Sequence, residues 1–512
     1  MSNLSDLLPS GGGQNIVDFV ADGSISSGQA VALTSAGKAK AISATGNAAQ
    51  LPLGSINEFS ATANGSKFYG SDIQFDPHDS TRVGIAWLDA SQYPNFILGT
   101  ISAAGVITFG TTVVVESTAT STGVSFAFDP LNADKIVYIF YKPGTGVQAK
   151  VGTLSSTSSS FGNADTLYPR TTSYTDDKTI RAGRVAFDLS KTSTSTFGCI
   201  FYRQGDSSMG FHAATYSGTS ISAGNKVTYS ANLSVNMGVD CNSDGTFVIG
   251  VRNASNQYVS IVTAGISGVT PSLSSVQTVK SADGGDGYLV KFDPNNKLKV
   301  GIAYEISSVG KCQIITLSGT GSSATLTAGT ETTFANTNIL EGYCNFVFDK
   351  NASSGSFLIG YLEDSTSDLY VAVGTYDDSD TNNTITISAN TLMHDNSAAG
   401  YPQKHFFNGG TSSGYVGFTF VLDSDNDGQV QLGQFASSNV ADFIGLADAA
   451  ISDTATGKIN VKGSINSKQS SLTIGSDYYV QSDGSVSTTS TSPAVKIGQA
   501  VTATTINMMD LT

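Results

Sequence analysis

Val290-Lys291-Phe292-Asp293-Pro294 is a short apolar strand that ends in Phe-Asp and runs straight into a turn. The same phrase recurs as Ile73-Gln74-Phe75-Asp76-Pro77, Phe126-Ala127-Phe128-Asp129-Pro130, Val185-Ala186-Phe187-Asp188 and Phe346-Val347-Phe348-Asp349. Gly238-Val239-Asp240 and His405-Phe406-Phe407-Asn408 read as degenerate copies in the gaps. Seven copies then lie about 52–59 residues apart, the period of propeller blades rather than of helical solenoids. After each copy comes a second apolar strand, in most copies closed by an aromatic, as in Val83-Gly84-Ile85-Ala86-Trp87 and Val300-Gly301-Ile302-Ala303-Tyr304; in the fourth copy Val251 takes the aromatic position. A third strand alternates in period two, as in Leu369-Tyr370-Val371-Ala372-Val373, and a weaker fourth follows, such as Gly105-Val106-Ile107-Thr108-Phe109. Four strands whose outer edge needs neighbours packed radially make one blade. The expectation is a seven-bladed β-propeller over residues 59–437.

The rest of the composition agrees with an all-β chain. Of 512 residues only 13% are charged, and Ser plus Thr make about a quarter, so hydroxyls and 55 glycines take the place of Lys and Glu. That balance is poor in helix formers, while 20 Tyr and 26 Phe favour strands. A net charge of -15 and only six arginines leave no electrostatic footprint for nucleic acid or an anionic membrane. No apolar run approaches the length of a membrane span. The first basic residue is Lys38, so the reading is a chain that starts at Met1 without a secretion signal. Cys199, Cys241, Cys312 and Cys344 lie far apart without C-x-x-C spacing, which reads as four buried free thiols in a chain folded in a reducing cytosol.

Residues 1–58 and 438–512 lack the blade repeat but resemble each other. Gly28-Gln29-Ala30-Val31-Ala32-Leu33, Gly37-Lys38-Ala39 and Leu53-Gly54-Ser55-Ile56 parallel Gly475-Ser476-Asp477-Tyr478-Tyr479-Val480, Gly484-Ser485-Val486 and Ile497-Gly498-Gln499-Ala500. Each unit is too short to bury its own face. The two ends are expected to build one small β-barrel or sandwich module, into which the propeller is inserted.

The opening Met1-Ser2-Asn3-Leu4-Ser5-Asp6-Leu7-Leu8-Pro9-Ser10-Gly11-Gly12-Gly13 resembles the start of virion structural and fibre proteins of marine tailed bacteriophages of the cyanophage type. Ile444-Gly445-Leu446-Ala447, Gly457-Lys458-Ile459-Asn460-Val461, Leu472-Thr473-Ile474-Gly475-Ser476-Asp477-Tyr478-Tyr479-Val480 and Val495-Lys496-Ile497-Gly498-Gln499-Ala500 are similar to a small β module of phage fibre and virion-surface proteins. The resemblance covers the outer quarter of the chain and carries no catalytic residues. It implies a non-enzymatic virion component made in the host cytoplasm. Such a protein would be anchored to other virion proteins through its end module, homo-oligomeric in the particle, and would display the propeller as a tail fibre, host-attachment or capsid-decoration element.

Two site readings remain. Asp423-Ser424-Asp425-Asn426-Asp427-Gly428 places Asp423, Asp425 and Asp427 around a tight turn as calcium loops do, but Gln434 and Gln431 stand where such loops add another acid, so an ordinary solvated turn competes. Lys142, Arg203 and Arg252 follow the aromatic column in successive blades and would form a cationic lip for host-surface glycan, against the plain reading of solvated strand ends. The recurrent aspartates read as turn formers, and His78, His212, His394 and His405 as scattered turn or surface residues. The enzyme alternative, a propeller glycosidase or lyase acting on host polysaccharide, needs a paired-carboxylate or Tyr/Glu centre that the sequence does not present. A secreted adhesin is the third alternative.

Overall fold

The computed structural model describes residues 15–508. Outside the description lie the segments 46–52, 64–70, 170–179, 204–207, 230–232, 235–237, 284–288, 340–343, 351–354, 395–407, 412–414, 423–426 and 490–494, together with scattered single or paired positions. The chain forms two compact units, one of residues 48–435 and one of residues 1–47 with 436–512.

The larger unit is a seven-bladed propeller. Each blade is an antiparallel sheet ordered from the channel outward, for example Ser71–Asp76, Asp79–Leu88, Pro94–Ile101 and Val113–Val114 in blade one. The innermost strands of the next five blades are Val124–Phe128, Ile180–Phe187, Val239–Cys241, Val290–Asp293 and Asn345–Phe348, and that of blade seven is Asn408–Thr411. Each abuts the innermost strand of the blades before and after it, and the ring closes where Asn408–Thr411 meets Ser71–Asp76. The blades are held by apolar interfaces, in which glycine on the second strand makes room for an aromatic ring of the next blade. A Cβ on Gly84 would stand 2.9 Å from the Phe126 ring, and one on Gly301 would overlap the Phe346 ring.

Register corrects both degenerate copies. In blade four Cys241 opposes Phe247 as Phe75 opposes Val83, so Cys241-Asn242, not Val239-Asp240, occupies the Phe-Asp position. In blade seven the innermost strand begins at Asn408, and His405 to Phe407 lie outside the described residues.

Closure comes from an unexpected strand. Leu53–Ser60 pairs antiparallel with Asp427–Gln434 as the outermost strand of blade seven, with Gly433 opposite Leu53 and Gly428 opposite Ser60. Leu53-Gly54-Ser55-Ile56 therefore belongs to the propeller and not to the terminal module, and the unit boundaries fall at 47/48 and 435/436 rather than 58/59 and 437/438. The physical reason is that an unpaired Asp427–Gln434 would expose a full row of backbone donors and acceptors.

The smaller unit is a sandwich of two five-stranded sheets. One has the order Ile16–Val20, Thr456–Val461, Phe443–Ala447, Ala30–Leu33, Ala39–Ala41; the other has Ile465–Asn466, Thr505–Asn507, Val495–Thr502, Asp477–Val480, Val486–Ser487. Numbered along the chain within each sheet, both read 1-5-4-2-3, so the unit is a tandem structural repeat. The hairpin turns match in detail: Gly37 and Gly484 both have positive φ, and their N–H groups donate to Thr34 O and Gln481 O. The counterpart of Ile497-Gly498 is Ile444-Gly445, since Gly498 opposes Tyr478 and Gly445 opposes Val31, each followed by a register shift. The propeller is thus spliced between the third and fourth strands of the first repeat. Leu446, Ala30, Ile42, Tyr478, Ile497 and Ile506 form a shared core across the two sheets.

Two outcomes follow from this architecture. Phe59 on the closing strand packs edge-on against Trp87 of blade one, ring centroids 5.2 Å apart, and Trp87 is the only tryptophan. Phe59→Ala is expected to destabilise the propeller by about 3–5 kcal/mol, with a red-shifted Trp87 emission before global unfolding, read by fluorescence and calorimetry. Replacing the propeller by a loop of the length that joins Ser487 to Val495 should leave a sandwich that melts cooperatively in circular dichroism; a chain without a melting transition would contradict the tandem-repeat assignment.

Candidate functional site

The channel wall is set by register. Alternate residues of each innermost strand face the same way, and opposing residues on the second strand align the blades into tiers. One tier holds Asp72, Ser125, Arg184, Asn345 and Asn408; the next holds Gln74, Ala127, Ala186, Asp240, Lys291, Val347 and Gly410. Polar and charged residues stand at several of these positions although the strands are otherwise apolar.

The first tier is a cross-linked layer. Asp72 is 2% exposed, accepts hydrogen bonds from Ser125 Oγ at 2.8 Å and the Phe126 N–H at 3.2 Å, and pairs with Arg184 Nη1 at 3.0 Å. One carboxylate of blade one thereby ties blades two and three. A buried charge left without its partner costs about 3–5 kcal/mol.

The second tier opens into a cavity of about 320 Å³ at the end of the channel that carries the turns between first and second strands. Gln74, Asp240, Lys291, Val347, Lys297 and Lys350 are among its lining residues. Asp240 accepts the Phe292 N–H at 2.8 Å, and Asp293 accepts the Tyr376 hydroxyl at 2.6 Å and the Asn295 N–H at 2.8 Å. Lys297 pairs with Asp244 at 2.8 Å. Lys291 and Lys350 have neither an ion pair nor a hydrogen bond among the described residues. Lys350 is open to water in the channel yet ringed by protein, so desolvation and then the Lys291 charge lower its pKa, opposed by Asp240 and Asp76. Burial raises the Asp293 carboxyl above its ordinary value, against the hydrogen bond from Tyr376.

The recurrent aspartates are turn formers, and something more. Oδ1 of Asp76, Asp129, Asp188 and Asp293, and of Asn242 in the fourth copy, accepts the N–H two residues on, at 2.7–3.1 Å. The second oxygen reaches outward. Asp129 accepts the hydroxyls of Tyr216 and Ser195 in blade three, as Asp293 accepts that of Tyr376 in blade six. Tyr216 and Tyr376 sit at the same register, two residues beyond Ala214 and Gly374. In blade one Asp76 pairs instead with Arg82 of its own sheet.

Lys142, Arg203 and Arg252 lie at the opposite end of the strands. Lys142 pairs with Glu116 at 3.3 Å, which it shares with Lys150. Arg252 donates to Gln257 Oε1 at 2.8 Å. The Arg203 backbone pairs with Ser208, and its side chain lies outside the description. Lys142 and Arg203 share a register, six residues beyond Ile136 and Phe197, whereas Arg252 falls five beyond Phe247 and so points to the other face of its sheet. Of the Asp423-to-Gly428 loop, Asp423 and Asp425 lie outside the described residues, and Asp427 begins the strand opposite Leu422. His78 occupies the first turn of blade one, but His212 is not a surface residue: it is 3% exposed on the third strand of blade three, bonded to Ala213 O. The four cysteines are buried and free, and burial pushes the Cys199 thiol up to about 12.

No family model matches the chain, and no curated protein does. Among solved structures the BP39L lectin from Burkholderia pseudomallei is similar at a TM-score of 0.50 and 6% identity, over 73% of this chain and 99% of the lectin. The periplasmic gluconolactonase PpgL of Pseudomonas aeruginosa aligns at 0.44 and 9%, over 74% and 95%. At such identities the likeness concerns the fold.

The Asp72–Arg184 pair can be tested directly. Arg184→Met should lower stability by about 3–5 kcal/mol because it strands the Asp72 carboxylate. The double variant with Asp72→Asn should recover part of that loss, read as a coupling energy in a chemical-denaturation cycle.

Proposed function

We propose that this chain is a non-enzymatic virion structural protein of a tailed bacteriophage, whose terminal sandwich holds the particle and whose propeller makes the surface contacts, with host glycan as the leading ligand class. The observation that carries it is the splice of the propeller into the first of two matching sheets. A domain joined to its carrier by both chain ends is presented by two links rather than one flexible tether. The glycine-hairpin phrases that resemble phage virion modules are the ones that define these sheets. Exposed large hydrophobics on the terminal unit, Val17, Val20, Leu33, Ile465, Ile474 and Val501, supply apolar surface for neighbouring virion proteins or further copies of the chain. The lectin of similar fold makes glycan the first ligand class to screen. Many copies on one particle would give strength through avidity where single sites are weak.

The experiment is immunogold labelling of purified particles with antibody raised against residues 48–435. Label on the tail or the head is the expected result and assigns the attachment or decoration role; intact particles that stay unlabelled while disrupted ones react would overturn surface display.

A further inference from the structure

We propose that the cavity at the turn-bearing mouth of the propeller channel binds a monosaccharide-sized ligand through an oxyanion, a carboxylate or sulfate group seated between Lys291 and Lys350. The sugar part of this inference rests on the glycan-contact reading; the anion part stands on the cavity alone.

Four observations lead there. The cavity, about 320 Å³, is at the lower end of the size of small-ligand sites, which fits one pyranose ring. Its lysines outnumber its carboxylates, in a chain where acids outnumber bases 41 to 26. Both carboxylates that line it are already engaged, Asp240 by the Phe292 N–H and Asp293 by Tyr376 and Asn295. Lys297 is paired with Asp244, whereas Lys291 and Lys350 hold no ion pair or hydrogen bond among the described residues and present their ammonium groups to the cavity. Two like charges facing one confined space repel each other, and an anion between them removes that repulsion while accepting from both. Gln74, on the same cavity, provides a neutral side chain for sugar hydroxyls.

The whole protein is melted at constant ionic strength with glucuronate, glucose 6-sulfate, glucose or inorganic sulfate. Glucuronate and glucose 6-sulfate are expected to raise Tm by about 2 °C at ten times their Kd, with glucose inert and inorganic sulfate weaker. Lys291→Gln/Lys350→Gln should abolish the shift, and its ligand-free Tm should equal or exceed that of the parent because a repulsion has been removed. Lys226→Gln, on an outer strand of blade three, should leave the shift intact. Equal protection by glucose would overturn charge recognition, and equal protection by inorganic sulfate would overturn the saccharide. An unchanged shift in the double variant would overturn the site itself. A double variant that still binds host polysaccharide as the parent does would remove this site while leaving the glycan reading of the propeller in place.

Discussion

The ladder between Leu53–Ser60 and Asp427–Gln434 is the constraint on which the rest of the molecule depends. A ring of blades has no free interface only if the last blade is complete, and here the last blade borrows its outer strand from the segment that precedes the first. This pairing has a second consequence, because Leu53 stands opposite Gly433 and the two ends of the propeller chain emerge side by side. Neighbouring ends are what allow a domain to be spliced into a loop without distorting its host. In the second repeat of the sandwich, the equivalent loop simply joins Ser487 to Val495. Closure of the ring and insertion into the sandwich are thus one structural solution.

Within the ring, the Phe-Asp phrase recurs because it does two jobs. Phenylalanine is buried in the interface between blades, where Phe187 packs with Val137 and Ile139 of blade two and Phe292 with Val248 and Val259 of blade four. The aspartate closes its own turn with one oxygen and, in blades two and five, reaches a tyrosine of the following blade with the other. Where leucine occupies the tyrosine position, as at Leu154 in blade two and Leu317 in blade five, that inter-blade bond is absent and apolar burial carries the interface.

The all-β class, the blade count and the tandem hairpins were legible in the sequence because each is a local phrase repeated at a fixed distance. The features that were not legible are those that depend on register. Leu53-Gly54 looks like Ile497-Gly498, but only strand pairing shows that Ile444-Gly445 is the true counterpart. Arg252 looks aligned with Lys142 and Arg203, yet one residue of offset turns it to the other face. The channel residues escaped notice for the same reason. Asp72, Arg184, Asp240 and Lys291 come one per blade from different copies and form tiers only after alignment against the second strands. The one signal available was a charged residue inside an apolar first strand, as at Lys291 between Val290 and Phe292.

The acidic balance of the chain and the cationic mouth of its channel do not conflict, because they act over different distances. Exposed charges are screened within about 8–10 Å at ordinary salt, so the net charge of -15 is felt as a surface that discourages extended polyanions such as nucleic acid. Lys291 and Lys350 act inside a cavity walled by protein, where the field of two ammonium groups is less screened and reaches only what fits. A small anion can enter on its own, whereas a long anionic chain would have to lie across the acidic exterior to place one group in the channel. Selection by size therefore follows from the same charge distribution that, judged by its sum alone, would argue against any anionic ligand.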